Sequence, residues 1–339
     1  MKNQPKRTRI VVDAMGGDFA PGNILAGACE ALREAGDRLE ISFAGPKDVI
    51  EHGMASVNHE GLTYGILHAP EVIGMNDGAT AAVKQKKDSS IALGISAQPA
   101  GRADAFVSAG HTGAVMSAST LILGRLPGIS RPTIGAFFPT ETGVALLVDA
   151  GANVDCKAQH LLEFGIMGSI YAHSMFDIAR PSVGLLSIGE EPSKGNAVSL
   201  EAYDLLAKSR LNFIGNIEGR DILKAKANVV VCDGFVGNIV LKFAESVLDL
   251  LRSKFRAYAA RDLVRKIRVG LMYGTLKNIL KDFDYQEHGG VPLLGVNGIS
   301  IIGHGKSTPK AVKNMILKAD EMARKNINQR IKESLVNQQ

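Results

Sequence analysis

The sequence has no tryptophan, few aromatic residues and three cysteines in 339 positions. Cys29, Cys156 and Cys232 are odd in number and far apart, which excludes a disulfide framework and a zinc pattern; a reducing cytoplasm is the expected setting. No apolar run approaches the ~18 residues of a spanning helix. The start, MKNQPKRTR, is basic and polar, and no apolar segment follows it before Asp13, so no secretory leader is expected. There is no low-complexity linker and no internal repeat at a 20–50-residue period of the kind that builds solenoids. The acids Asp13, Asp18, Glu190, Glu191 and Asp233 are scattered, and no spacing specifies a cation, so neither metal nor cofactor is expected. General basicity is lacking too. Arg252, Lys254, Arg256, Arg261, Arg265, Lys266 and Arg268 stand against the single acid Asp262, so 252–268 carries +6 of a net +5 and the remainder is −1. The positive charge is a local device, and nucleic acid is not an expected partner.

What is abundant is glycine, at 37 residues, and short aliphatic runs. Strand-like runs (10–12, 40–44, 62–69, 104–108, 133–138, 144–150, 183–188 and 229–232) alternate with helical stretches (23–35, 79–97, 112–124, 157–173 and 197–208). This alternation predicts an α/β fold in three layers, a mostly parallel sheet with helices on both faces. One segment breaks the rhythm. From 237 to 268 the apolar positions Val240, Phe243, Val247, Leu251, Phe255 and Tyr258 keep a helical period. The run leads into Val269–Leu276, and a second amphipathic stretch carries Leu276, Ile279, Leu280 and Phe283. The expectation is a protruding helical hairpin over 245–285 with a basic stem and an apolar tip. It projects from a single domain over 9–330, of one body or two lobes, with flexible tails at 1–8 and 331–339.

Four glycine-bearing loops fall at strand-to-helix junctions: DAMGGD (13–18), SAGHTGA (108–114), DGFVGN (233–238) and GHGKS (303–307). In a parallel sheet the carboxyl ends of the strands share one edge, and helix N-termini there offer free N–H groups to phosphate. Any one of these loops alone reads as a turn; the set points to a phosphate-handling crevice. Gly16 and Gly17 allow close approach of a ligand or a neighbouring loop. Asp13 and Asp18 would repel phosphate and are expected to pair with a lysine or cap a helix. No G-x-G-x-x-G follows the first strand, and GHGKS misses the P-loop because position 300 is Ser300. Cys232 ends a strand and is either a nucleophile or a buried small residue, the latter favoured. His111 and His304 sit in glycine loops rather than on apolar faces.

The ordered motifs DAMGGDFAPGN, SAGHTGA, LPGISRPT, IGEEPSKGN, CDGFVGN, GGVPLLGVNG and IIGHGKS span nearly the whole chain. Together they resemble the PlsX family, the phosphate acyltransferases of bacterial phospholipid synthesis. The resemblance implies a fold similar to phosphotransacetylases and isocitrate-type dehydrogenases. It also implies transfer of a fatty acyl group from acyl carrier protein to inorganic phosphate, and a homodimer at the inner surface of the cell membrane. A membrane glycerol-3-phosphate acyltransferase of the PlsY type would use the acyl phosphate. One departure is His111, where the family usually has Asn.

On this basis Asn238 and His111 are candidate oxyanion donors, His304 a proton donor to the leaving thiolate, and Asp233 an orienting acid. Lys306 and Lys194, with Ser108, Gly110, Gly113, Ser307, Gly16 and Gly17, are expected to hold phosphate and the thioester. Arg261, Arg265, Lys266, Arg268, Val269, Leu271, Met272 and Tyr273 are expected at the membrane. Three other classes compete: a coenzyme A phosphotransacetylase, a dehydrogenase of the related fold, and a non-catalytic membrane scaffold.

Overall fold

Ile10, Val11 and Val12 are all buried, so the first strand is covered on both faces. Its residues divide by parity: Ile10 and Val12 join one apolar layer and Val11 the other. Every core strand repeats this, which is why the strands read as unbroken aliphatic runs rather than alternating ones. The computed structural model describes residues 7–279 and 289–336. The first half comprises β1 (Thr8–Asp13), α1 (Gly22–Ala35), β2 (Leu39–Gly45), α2 (Lys47–Met54), β3 (Gly65–His68), α3 (Ala79–Gln85), α4 (Ser90–Ser96), β4 (Ala105–Ser108), α5 (Thr112–Ile122) and β5 (Thr133–Thr140). The second comprises β6 (Gly143–Val148), α6 (Ala158–Met175), β7 (Ser182–Leu186), α7 (Ala197–Lys208), β8 (Asn212–Ile217), β9 (Val229–Val231), α8 (Gly234–Ala259) and α9 (Leu263–Ile279). The chain then returns with β10 (Val291–Leu294), β11 (Ser300–Ile302), α10 (Pro309–Arg324) and α11 (Ile327–Val336).

The strands form one sheet in the order β3-β2-β1-β4-β11-β10-β5-β6-β9-β7-β8. One apolar layer packs α1, α2, α6, α7, α10 and α11 on one face; the other packs α3, α4, α5 and the start of α8 on the opposite face. The sheet is mostly parallel, as expected, but its strands do not share a single carboxyl edge. The antiparallel pairings are β11–β10, β10–β5 and β5–β6. Consequently β6, β9, β7 and β8 run opposite to β1, β2, β3, β4 and β11. DGFVGN therefore leaves the sheet at the end opposite to DAMGGD, SAGHTGA and GHGKS. Strand direction depends on which strands become neighbours, and local sequence does not carry that.

The helix expected over 79–97 is two short helices, because residues between them fold back: Glu71 bridges Ser89, and Lys86 reaches Asp77 at 2.6 Å and the Val72 carbonyl at 2.8 Å. The long helix expected to reach Arg268 stops at Ala259. The turn falls at 260–262, where Asp262 accepts the Arg265 amide at 2.8 Å and starts α9. The basic segment thus forms the turn itself, and Val269, Leu271 and Met272 lie along α9 rather than at a tip. Leu280 and Phe283 lie outside the described residues, as do the side chains of Tyr273, Leu276 and Ile279. From Asn238 to Met272 no residue is buried, so this hairpin has no core of its own within the chain. The tail expected from 331 is instead helical to Val336, with Ile331 and Leu335 in the core. Thr8 is likewise anchored, donating to buried Asp320 at 2.7 Å.

Candidate active site

Asp13 ends β1 and is buried. Its carboxylate accepts from the Ser108 hydroxyl at 2.7 Å and the Met15 amide at 3.1 Å, and the Ser108 oxygen accepts the Gly110 amide at 3.0 Å. Burial pushes the Asp13 carboxyl above its usual range, opposed by these hydrogen bonds. Neither the lysine partner nor the helix cap expected for Asp13 is found among the described residues; it ties the first loop to the end of β4. Ser108 is consumed in the same tie and offers a ligand no free hydroxyl.

The glycines explain the tie. A Cβ on Gly16 would stand 2.7 Å from both the Asp13 carboxylate and the Gly110 amide. Gly17, at φ +102°, packs on the Gly305 carbonyl, which accepts the Asp18 amide at 2.7 Å. Gly16 and Gly17 serve loop-on-loop packing, the second of the two uses expected of them. Ser307 is buried, and its hydroxyl donates to the His304 carbonyl at 2.6 Å, closing the GHGKS turn before α10.

The second half repeats the device. Leu147-Val148-Asp149-Ala150 echoes Val11-Val12-Asp13-Ala14, and Asp149, the residue after β6, is fully buried. It accepts the amides of Ile134, Gly151, Ala152 and Asn153, the last at 2.7 Å, and the Asn153 side chain at 2.8 Å. Burial again pushes its carboxyl upward. The start of α8 is seated on this loop: Gly234 donates to the Asn153 carbonyl at 2.8 Å, and a Cβ on Gly237 would stand 1.9 Å from the Asp149 carbonyl oxygen. Asp149 escaped the sequence reading although the echoed V-D-A at two strand ends is a visible signal for it.

Between the two ties lies a cleft of ≈ 490 Å³. Its lip carries Asp18, Gly110 and Thr112 from the first half, His304 from the loop after β11, and Gly151, Asn238, Lys242 and Glu245 from the second half; its floor is apolar. The strand-end loops meet here from opposite ends of the sheet, across β11, β10 and β5. Asn238 is exposed, stands against Gly151, and its amide makes no hydrogen bond among the described residues. The His304 Nδ1 accepts the Lys306 amide at 3.1 Å, which leaves Nε2 to carry the proton of the neutral ring.

Other expected site residues fall elsewhere. His111 caps α5: Nδ1 accepts the Ala114 amide at 3.3 Å and Nε2 lies 3.2 Å from the Asp77 carbonyl, so Nε2 carries the proton. Both nitrogens are engaged, and the ring is not placed as an oxyanion donor. The cap also accounts for the exchange with Asn, since either residue presents an acceptor to the third helical amide. We expect His111→Asn to keep the melting temperature within ~2 °C. His111→Ala should cost about 1 kcal/mol for the lost cap, read as a fall of ~2–4 °C in a thermal melt. Gly113 follows in the first turn of α5, its Cα facing Ala79 and the His111 ring. Asp233 caps α8, accepting the Val236 amide at 2.8 Å. Lys306 is exposed beside the cleft, and Lys194 is exposed on the loop after β7, near a smaller pocket lined by Asp233 and Val236. Cys232 is buried; burial and the nearby Asp233 and Asp149 push its thiol well up, which disarms it as a nucleophile. No cluster of metal-ligating side chains occurs among the described residues.

The family model described as "Fatty acid synthesis protein" matches residues 8–330. The chain belongs to this family. The resemblance carried by the seven motifs is thereby borne out. Among its relatives, the phosphate acyltransferase of Chlorobaculum parvum is 47% identical over 331 residues, covering 95% of this chain and 97% of that protein. That of Desulforudis audaxviator is 47% identical over 319 residues, covering 94% and 93%. Among solved structures, the EutD phosphotransacetylase from Staphylococcus aureus superposes with a TM-score of 0.62 at 17% identity, covering 94% of each chain. A phosphotransacetylase from Streptococcus pyogenes gives 0.62 at 20% identity, covering 93% of each. These two establish the shared three-layer fold.

Proposed function

We propose that the chain is a phosphate acyltransferase, moving a long-chain fatty acyl group from acyl carrier protein to inorganic phosphate and giving acyl phosphate for phospholipid synthesis. The family match over residues 8–330 carries this reading. A phosphate oxygen bonds to the thioester carbonyl carbon. The tetrahedral adduct collapses with cleavage of the C–S bond, and the thiolate leaves and takes a proton. Phosphate is already an anion at neutral pH and needs holding and aiming rather than a base. The first turn of α5 at Thr112, with Lys306, supplies the positive potential. Asn238 donates to the oxyanion, and His304, through Nε2–H, faces the leaving sulfur. The buried thiol of Cys232 argues against an acyl-enzyme.

The hairpin suits a membrane surface: Leu263, Val264, Ile267, Leu271 and Met272 are exposed beside Arg261, Arg265, Lys266 and Arg268, as an anionic leaflet would require. No helix among the described residues is long and apolar enough to cross a membrane. The exposed stripe Phe243, Leu250 and Phe255 on α8 fits a second copy of the chain in a homodimer. A PlsY-type membrane acyltransferase would then draw acyl phosphate at the bilayer.

Purified protein given palmitoyl–acyl carrier protein and phosphate, without membranes or added metal, should release free carrier and acyl phosphate in a phosphate-dependent way. Turnover of the coenzyme A thioester alone would instead place it with the phosphotransacetylases, and silence on both would favour the scaffold.

A further inference from the structure

The floor of the cleft is built differently from its lip. Ile134, Ala136, Leu241, Val291 and Ile302 line it, and all five belong to the apolar layer on the α5–α8 face of the sheet. Ile134, Ala136 and Ile302 are almost fully buried although they line the cleft, at 5%, 1% and 2% exposure, so the space above them is narrow. At ≈ 490 Å³ the cleft falls within the ~300–1,000 Å³ range of small-ligand sites. Asn238 and Leu241 are three residues apart on one face of α8, which joins the polar lip to the apolar floor.

An apolar floor beneath a polar lip disfavours a charged group at the floor. It accommodates an unbranched hydrocarbon whose head lies at the lip. We propose that this floor receives the acyl chain of the thioester, with Ala136 and Leu241 setting how much of the chain is taken in. The ligand assignment rests on the acyl-transfer reading above. On this view the carbonyl is presented to Asn238 and His304. Chain length is then sensed by burial, at about four-fold in affinity per methylene.

Two variants test it. Ala136→Leu narrows the slot from the sheet; Leu241→Asn places an amide on its helical wall at a half-buried position that tolerates polarity. Each should reduce the ratio of kcat/KM for 16-carbon over 4-carbon acyl thioesters at least ten-fold. Each should also weaken binding of cis-parinaric acid, followed by its fluorescence and displaced by palmitate, by a similar factor. Thermal melts confirm folding, and Leu241→Asn serves if Ala136→Leu does not fold. Unaltered chain selectivity in a variant that turns over, or parinaric acid binding that is absent in the parent or as tight in both variants as in the parent, overturns the slot and leaves the transfer reaction intact. Parinaric acid binding that both variants weaken, in a protein that transfers no acyl group to phosphate, supports the slot while overturning the reaction.

Discussion

Replacing Asn238 by alanine is expected to lower kcat by about 10²–10³-fold, the usual cost of one oxyanion donor, with the melting temperature held within ~2 °C. The two halves of this expectation have separate causes. Asn238 is exposed, fills no cavity in the core, and donates no hydrogen bond to the described residues, so its removal leaves the folded chain nearly unchanged. Its side chain stands beside Gly151 in the cleft that Gly110 and His304 also line. A donor held on a rigid helix there is already organised before charge develops on the carbonyl oxygen. KM for the thioester should change little, because the carbonyl takes full negative charge only in the transition state. Asn238→Asp should be at least as damaging, since a carboxylate would oppose the oxyanion. Steady-state kinetics with palmitoyl–acyl carrier protein at saturating phosphate, beside a thermal melt, decides it. A kcat within three-fold of the parent in a folded Asn238→Ala protein removes Asn238 from the chemistry.

Gly237→Ala is expected to lower both stability and activity. The added Cβ would stand 1.9 Å from the Asp149 carbonyl oxygen, with the Cys232 sulfur 3.0 Å away. Neither neighbour is the loose end of a flexible side chain. The start of α8 must lift away from the β6 loop, and such overpacking typically costs about 1–3 kcal/mol, occasionally more. The lift also displaces Asn238, the next residue, so a shift near 1 Å should cost of the order of 10²-fold in turnover. A melt showing a fall of ~5 °C or more, with kcat reduced in the protein that remains folded at assay temperature, is the expected pair. A parent-like melt would mean that the α8 seat is looser than the structure has it. Gly274→Ala, in open space on α9, is the matched control.

Several features were legible before any coordinates because they are local. Apolar runs covered on both faces, helical periodicity, and glycines at strand ends follow from backbone sterics and side-chain burial, and they gave the α/β class and most element positions. Cys232 at the end of an aliphatic run has no evident histidine spacing to activate it, which favours a buried residue, and it is buried. Other features were illegible for equally physical reasons. Ser108 carries a hydroxyl that suits phosphate in any list of residues; only the packing of Gly16 against Gly110 turns it toward Asp13. His111 suggested a donor by its chemistry, but its position one residue before α5 and the folding of 70–90 onto that helix engage both nitrogens.

The sequence by itself determined the layered α/β class, the kinship carried by seven ordered motifs, and the existence of a basic amphipathic hairpin. Each of these is encoded in residue type and short spacing. Only the tertiary structure decided that β6, β9, β7 and β8 run against the first half, that the hairpin turns at 260–262, and that Asn238 and His304 share a lip. The strand directions and the shared lip depend on contacts between residues far apart in the chain, such as Asp13 with Ser108 or Gly237 with Asp149. Long-range packing sets them, and the local preferences of the chain are satisfied by more than one such arrangement.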